Sequence, residues 1–228
     1  MRKAEWFRLI DGMAPDEGQR LAPEDREQAL ALAVIRYSTD RPRIEAADVV
    51  TPDGYTVPLP EGWGADFSRV TCISIPAATP VGPHRALPSD GWQPCRIPGR
   101  DVLLLVRPEK TGATLRLHFT LPHVLPDEDD GPDTIPATDR EAVAHWAAAL
   151  LLDTLAGKHA GDMQSTINSD SVDHAAKMPN YKALAEAQRQ LYWNHLGIDP
   201  KRAVAAGAVV KVGHGRLLHR GPRNRRRT

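Results

Sequence analysis

The sequence predicts an α+β fold: a small helical bundle of three main helices, an inserted antiparallel β-domain and an extended C-terminal arm. Three observations predict it. Apolar residues recur at helical spacing around residues 23–37, 138–156 and 179–196. Between the first two stretches lies a region of β-branched runs and turn residues, ending in a run, 113–121, of strict apolar/polar alternation. Residues 201–228 hold nine Lys/Arg and no acid.

Each element has a local cause. Trp6, Phe7, Leu9 and Ile10 give the first 22 residues enough apolar surface for one buried helical turn or hook. Pro23 then opens a helix at the position where a missing N–H costs nothing. Glu24 and Asp25 suit its positive end. Leu30, Ala33, Val34 and Tyr37 share one face, and Ser38, Asp40 and Pro42 end the helix. The turn Pro52-Asp53-Gly54 joins 48–51 to 55–57 as a hairpin. A strand is expected over 68–75. Six prolines within 76–101 predict a long ordered loop or extended arm. Residues 102–106 are a continuous apolar strand. Lys110-Thr111-Gly112 turns the chain into 113–121, so the middle reads as one small antiparallel sheet with a wet face.

An acidic run follows, Asp127, Glu128, Asp129, Asp130 and Asp133, read as a solvated loop. Thr138-Asp139-Arg140-Glu141 has the spacing of a capping box. Val143, Trp146, Ala147, Leu150 and Leu151 line the helix after it, which is expected to end near Gly157. Polar residues 158–178 read as a linker. Pro179 opens the third helix and Gly197 stops it. The domains are therefore 1–48 with 123–197 (helical bundle), 49–122 (β-rich insert) and 198–228 (basic arm).

Composition narrows function. The formal net charge is zero over 228 residues, yet the 20 Lys/Arg and 29 Asp/Glu outside the arm leave the body at −9. No run is long enough to span a membrane, which takes about 20 apolar residues, and no secretory signal opens the chain. Cys72 and Cys95 form no framework, and the nine histidines show no metal-ligand spacing. No phosphate loop, dinucleotide fingerprint or nucleophile elbow is present, so no cofactor and no catalytic residue is assigned. The strongest chemical feature is the arm, with Lys211, Arg216, Arg220, Arg223, Arg225, Arg226 and Arg227. Arginine favours bidentate contacts to phosphate or carboxylate. The arm thus reads as a contact for DNA backbone, as a contact for an acidic groove on a protein, or as a solubilising tail that touches neither. Trp63, Trp92 and Arg41 are candidate subunit contacts.

The layout also carries a resemblance. It lies in Arg36-Tyr37-Ser38-Thr39-Asp40-Arg41-Pro42, in Tyr55-Thr56-Val57-Pro58-Leu59-Pro60 with Trp63, in Thr134-Ile135-Pro136 before the Ala-rich helix, and in Tyr181-Lys182-Ala183-Leu184-Ala185 ahead of Leu196-Gly197. Across about residues 25–197 this resembles the head-to-tail connector, or neck adaptor, proteins of tailed bacteriophages. The resemblance implies a non-enzymatic virion protein, assembled in the host cytoplasm. It implies a homo-oligomeric ring, a dodecamer, between the portal protein and the tail or a tail-completion protein. Packaged DNA would pass nearby, no membrane would be involved, and the C-terminal arm would dock on the portal. The large β-insert departs from the smallest members of that family. The alternative from the residues is a DNA-binding or DNA-packaging accessory protein that uses the basic tail.

Overall fold

A computed structural model describes residues 1–16, 19–75, 85–97, 100–125, 133–162 and 174–201. Residues up to Ile198 form one unit, and a second unit begins at Asp199. Only 199–201 of the second are described, where the Asp199 carboxylate accepts a bond from the Lys201 N–H. The expected extended arm therefore lies almost wholly outside the described residues.

Among the described residues four helices build the helical region, not three. The first, α1 (Lys3–Met13), turns Trp6 and Ile10 fully inward. The apolar hook read at the N-terminus is thus a complete helix of the bundle, and the three-helix expectation is corrected. The second, α2 (Pro23–Asp40), starts where Pro23 predicts, and Asp25 accepts a 2.8 Å bond from the Ala22 N–H. Its expected face, Leu30, Ala33, Val34 and Tyr37, is buried.

Seven strands follow among the described residues: β1 (Arg43–Val50), β2 (Thr56–Pro58), β3 (Val70–Ile75), β4 (Arg85–Ala86), β5 (Trp92–Ile97), β6 (Arg100–Leu105) and β7 (Thr114–Leu121). They form two sheets, with strand orders β1-β7-β3-β4 and β2-β6-β5. This corrects the expected single small sheet. All the ladders are antiparallel. The predicted hairpin is also corrected. β1 pairs along its whole length with β7 (Arg43 opposite Leu121, Val50 opposite Thr114), while β2 pairs with β6. The segment Thr51–Gly54 is a crossover between sheets. It meshes with the turn before β7: Thr51 N–H donates to the Ala113 carbonyl, and Glu109 N–H donates to the Gly54 carbonyl. Gly54 has φ +82°, and a Cβ there would lie 2.3 Å from the Glu109 carbonyl oxygen, so only glycine fits. Asp53 stiffens the turn by accepting from the Tyr55 and Thr56 N–H groups.

The proline-rich stretch read as loop contains β4 and β5. Pro94 is accommodated because β5 is an edge strand, where a missing N–H leaves no ladder partner stranded. The alternation of β7 holds as far as Phe119, with Leu115, Leu117 and Phe119 buried, and breaks at Thr120, which is also buried and accepts a bond from the Arg69 N–H.

Beyond β7 the chain returns to the helices. A 3-10 turn (Ala137–Asp139) leads into α3 (Arg140–Asp162). The predicted capping box is not formed. Thr138 Oγ1 instead donates to its neighbour Asp139, whose carboxylate is buried. α3 runs past Gly157 to Asp162, and α4 (His174–Leu196) begins before Pro179, so helix replaces both ends of the expected 158–178 linker. Pro179 falls in the second turn of α4, where it removes one intrahelical bond. α4 stops at Gly197, φ +67°, with the Ile198 N–H donating back to the Trp193 carbonyl. α3 is the central helix and packs on α1, α2 and α4. Its Ala142, Ala144, Ala147, Ala148 and Ala149 are fully buried, which lets its neighbours approach closely. The helices and the sheets have separate apolar cores.

Candidate functional site

Two chain crossings join the helices to the sheets: α2 into β1 through Arg41-Pro42, and β7 out through Pro122-His123. Three polar ties of the helical region lie there, while others, such as Lys158 with Asp25 and His145 with Gln188, join the helices elsewhere. Asp139, 3% exposed, accepts a bond from the Tyr37 hydroxyl (2.5 Å) and one from Arg41 (2.7 Å), and His195 Nε2 lies 3.2 Å away. Burial alone would raise the Asp139 pKa, but the bonds from Tyr37, Arg41 and His195 outweigh it and hold the carboxyl at about 2. Burial and the bond to Asp139 push the Tyr37 hydroxyl well above its ordinary value. One carboxylate thus ties α2, the start of α3 and the end of α4.

Two further ties flank it. The Tyr192 hydroxyl and Arg36 Nε both donate to Asp40, each at 2.7 Å, and the Arg36 guanidinium lies over the Trp146 ring at 5.1 Å. Burial and the Asp40 bond raise the Tyr192 pKa. His123 has its Nδ1 2.9 Å from the Thr134 carbonyl oxygen and its Nε2 3.0 Å from that of Arg41. Its backbone N–H donates to Ser38 Oγ. Every group in this cluster is already engaged with another part of the chain, so the arrangement suits a mechanical joint.

The sequence-predicted residues are distributed as follows. Lys211, Arg216, Arg220, Arg223, Arg225, Arg226 and Arg227 lie outside the described residues. Arg41 sits in the joint, paired with Asp139 of its own chain. Trp63 and Trp92 come together at a cleft of about 660 Å³ between the two sheets, with Arg69 and Asp101 on its walls. Trp63 leans on Phe119, ring centroids 6.0 Å apart. Of the acidic run, Asp133 alone is described. Its side chain is buried beside the Met1 amino group at 3.0 Å and Arg140 at 3.3 Å, so this acid is not part of a solvated loop. Sequence reading missed Asp139, Tyr192 and His123 as joint residues. Their partners lie 56 to 152 positions away for the first two, and no local pattern marks them.

A second feature is a groove of about 750 Å³ between α1, α2 and the segment after β7. Trp6, Leu30, Val34, Ile35, Val124 and Leu125 line it, with Glu24, Glu27 and Lys3 at its margin. Ile35 is 62% exposed and Val124 50%. On β1, an edge strand, Ile44 and Val50 also face solvent. Among the described residues no cluster of three or more His, Cys, Asp or Glu has metal-site geometry, and no helix is long and apolar enough to cross a membrane. Neither a protein-family model nor a curated protein matches the chain.

Proposed function

We propose that this chain is a structural assembly protein and not an enzyme. It is a virion component of a tailed phage, forming a ring adaptor, a dodecamer, between the portal protein and the tail or its completion protein. The basic C-terminal segment docks on the portal. The observation that supports this reading most is the unpartnered apolar surface of the helical region: a groove walled by Ile35 and Val124, in a chain whose buried acids are committed to internal ties. A subunit of a closed ring buries such surface against its neighbours, whereas a catalytic site needs titratable groups left available. The acidic body favours a channel wall that repels DNA phosphate and lets it slide.

The test is affinity capture from phage-producing cells, using the full chain and a chain lacking 201–228. Complexes are washed at high salt and imaged by electron microscopy. A ring-shaped portal protein held by the full chain only is the expected result. Nucleic acid alone, released between about 0.05 and 0.2 M salt as counterion release requires, would overturn the reading in favour of a DNA-binding accessory protein.

A further inference from the structure

We infer that β1 is a docking edge for the β1 of a second copy of this chain, paired antiparallel about a two-fold axis at Ala47, a contact that goes beyond the ring reading and does not depend on it. β1 ends its sheet, so one of its sides has no ladder among the described residues. Two bonds fix which backbone groups point that way. Thr51 N–H donates to the Ala113 carbonyl, in step with the register of β1 on β7, so the odd-numbered residues of β1 bond to β7. Thr120 lies opposite Ile44, yet its N–H donates away from β1, to the Arg69 carbonyl. The N–H and C=O groups of Ile44, Ala46, Asp48 and Val50 therefore face outward, without a backbone partner among the described residues. β1 carries no proline and no bulge, two common blocks to edge pairing. Its acids are also neutralised locally, Glu45 by Arg43 and Asp48 by Arg116.

Hydrogen-bond phase and charge select the register. Opposed residues of an antiparallel pair either both bond or both do not, so an outward residue must face an outward residue. Two copies of β1 can then be centred only on a residue, not between residues. Centring on Glu45 sets two carboxylates opposite each other, and centring on Asp48 does the same, which is destabilising. Centring on Ala46 sets Ile44 against Asp48. Centring on Ala47 sets Ile44 against Val50 at both ends and Ala46 against Asp48, and it pairs every outward group from Ile44 to Val50. Ile44 and Val50, exposed in the single chain, then cover each other on the outer face of a doubled sheet. The strand is thus complementary to itself in backbone phase, charge and apolar pattern. A ring closed about a single axis holds no two-fold contact. This pairing therefore belongs to the chain before assembly, where it shields a bare edge from less specific partners.

The experiment uses the full chain with Cys72→Ser and Cys95→Ser, so that one introduced cysteine reports alone. Ala47→Cys should give a disulfide-linked dimer on mild oxidation, because opposed residues that do not bond stand about 4.5 Å apart between Cα atoms, within disulfide reach. Ala46→Cys should not, since its two copies stand diagonally, about 7–8 Å apart. Crosslinking at 46 in preference to 47, or at neither, overturns the inference. In parallel, Ala46→Pro removes one outward N–H per copy and leaves the bonds to β7 in place. It should weaken dimerisation at least about tenfold by sedimentation, with the circular dichroism spectrum unchanged; unaltered association overturns the pairing. If the spectrum changes, the crosslinks decide. The two readings fail separately. Crosslinks at 47 without portal-bound rings overturn the adaptor reading alone, and portal-bound rings from a chain that shows no crosslink at 47 when free overturn the β1 pairing alone.

Discussion

The helical and sheet regions are held together by different physics. The helical core is rich in alanine with a few large plugs, Trp6, Tyr37 and Tyr192, and three polar ties at one end fix how the helices meet. The sheet core is smaller and aliphatic: Val49, Val57, Ile73, Leu103, Leu105, Leu115 and Leu117. Its geometry is set by strand register and by two interlocked turns. Small side chains pack in many relative positions, so an alanine-rich bundle needs directed bonds to select one. Pleated strands already specify their partners through period-two alternation, so the sheets need none.

This contrast can be broken or sharpened by four substitutions and one titration. The largest effect belongs to Asp139→Ala. It strands the Tyr37 hydroxyl in the core and removes the partner of Arg41 and His195. Urea denaturation should show a loss of about 3–4 kcal/mol, from leaving the buried Tyr37 hydroxyl unpaired and losing the bonds Arg41 and His195 make to the carboxylate. A loss no greater than that of a surface substitution would mean that alanine packing alone orders the bundle. Next is Leu117→Ala, fully buried in the sheet core, expected to cost about 3 kcal/mol through lost burial and a cavity. Gly54→Ala should cost about 2 kcal/mol, since the new Cβ meets the Glu109 carbonyl at a positive φ. If Gly54→Ala is neutral in thermal unfolding, the turns do not set the sheet geometry.

Titration is the fourth check. The Asp139 carboxyl is held at about 2, below its ordinary 3.8. A depressed carboxyl contributes stability in full above the unfolded value, and the contribution disappears as pH falls through the folded one. Stability should therefore drop between about pH 4 and pH 2, and Asp139→Asn should flatten that part of the profile. The smallest effect is expected of Arg116→Ala, which removes an exposed ion pair with Asp48 on the outer face of the sheet and should leave the unfolding midpoint unchanged.

What was legible in the sequence was what local chemistry decides. The buried face of α2 follows from the spacing of Leu30, Val34 and Tyr37, that of β7 from strict alternation, and the end of α4 from Gly197. Pairing is decided elsewhere. The residues 48–51 and 55–57 have the composition of a hairpin, yet 43–50 finds a longer ladder on β7, some 70 residues away, and outcompetes the short local pairing. Pro94 was read as a breaker because its edge position is a tertiary fact. The joint shows the same limit. Arg41 stood out as a candidate subunit contact, but its partner is an acid of its own chain, Asp139, which carried the signature of a helix cap and sits 98 positions away. Trp63 and Trp92 were singled out as candidate subunit contacts, and the meeting of the two sheets places them at one cleft.

The joint also bears on the order in which the chain is made. Both sheets are complete once Leu121 has been synthesised. α1 and α2 by then have no central helix to cover Trp6, Ile10 and Leu30. At about 5–20 residues per second, roughly 6–26 s separate the emergence of Ile10 from that of Arg140. The sheets are thus free to form first on the ribosome, and the bundle closes around α3 afterwards. Tyr192 and His195, which complete the ties to Asp40 and Asp139, arrive last of all. A product terminated before Tyr192 keeps its strands but leaves both ties open, and so presents proteases with a loosened bundle that a finished chain lacks.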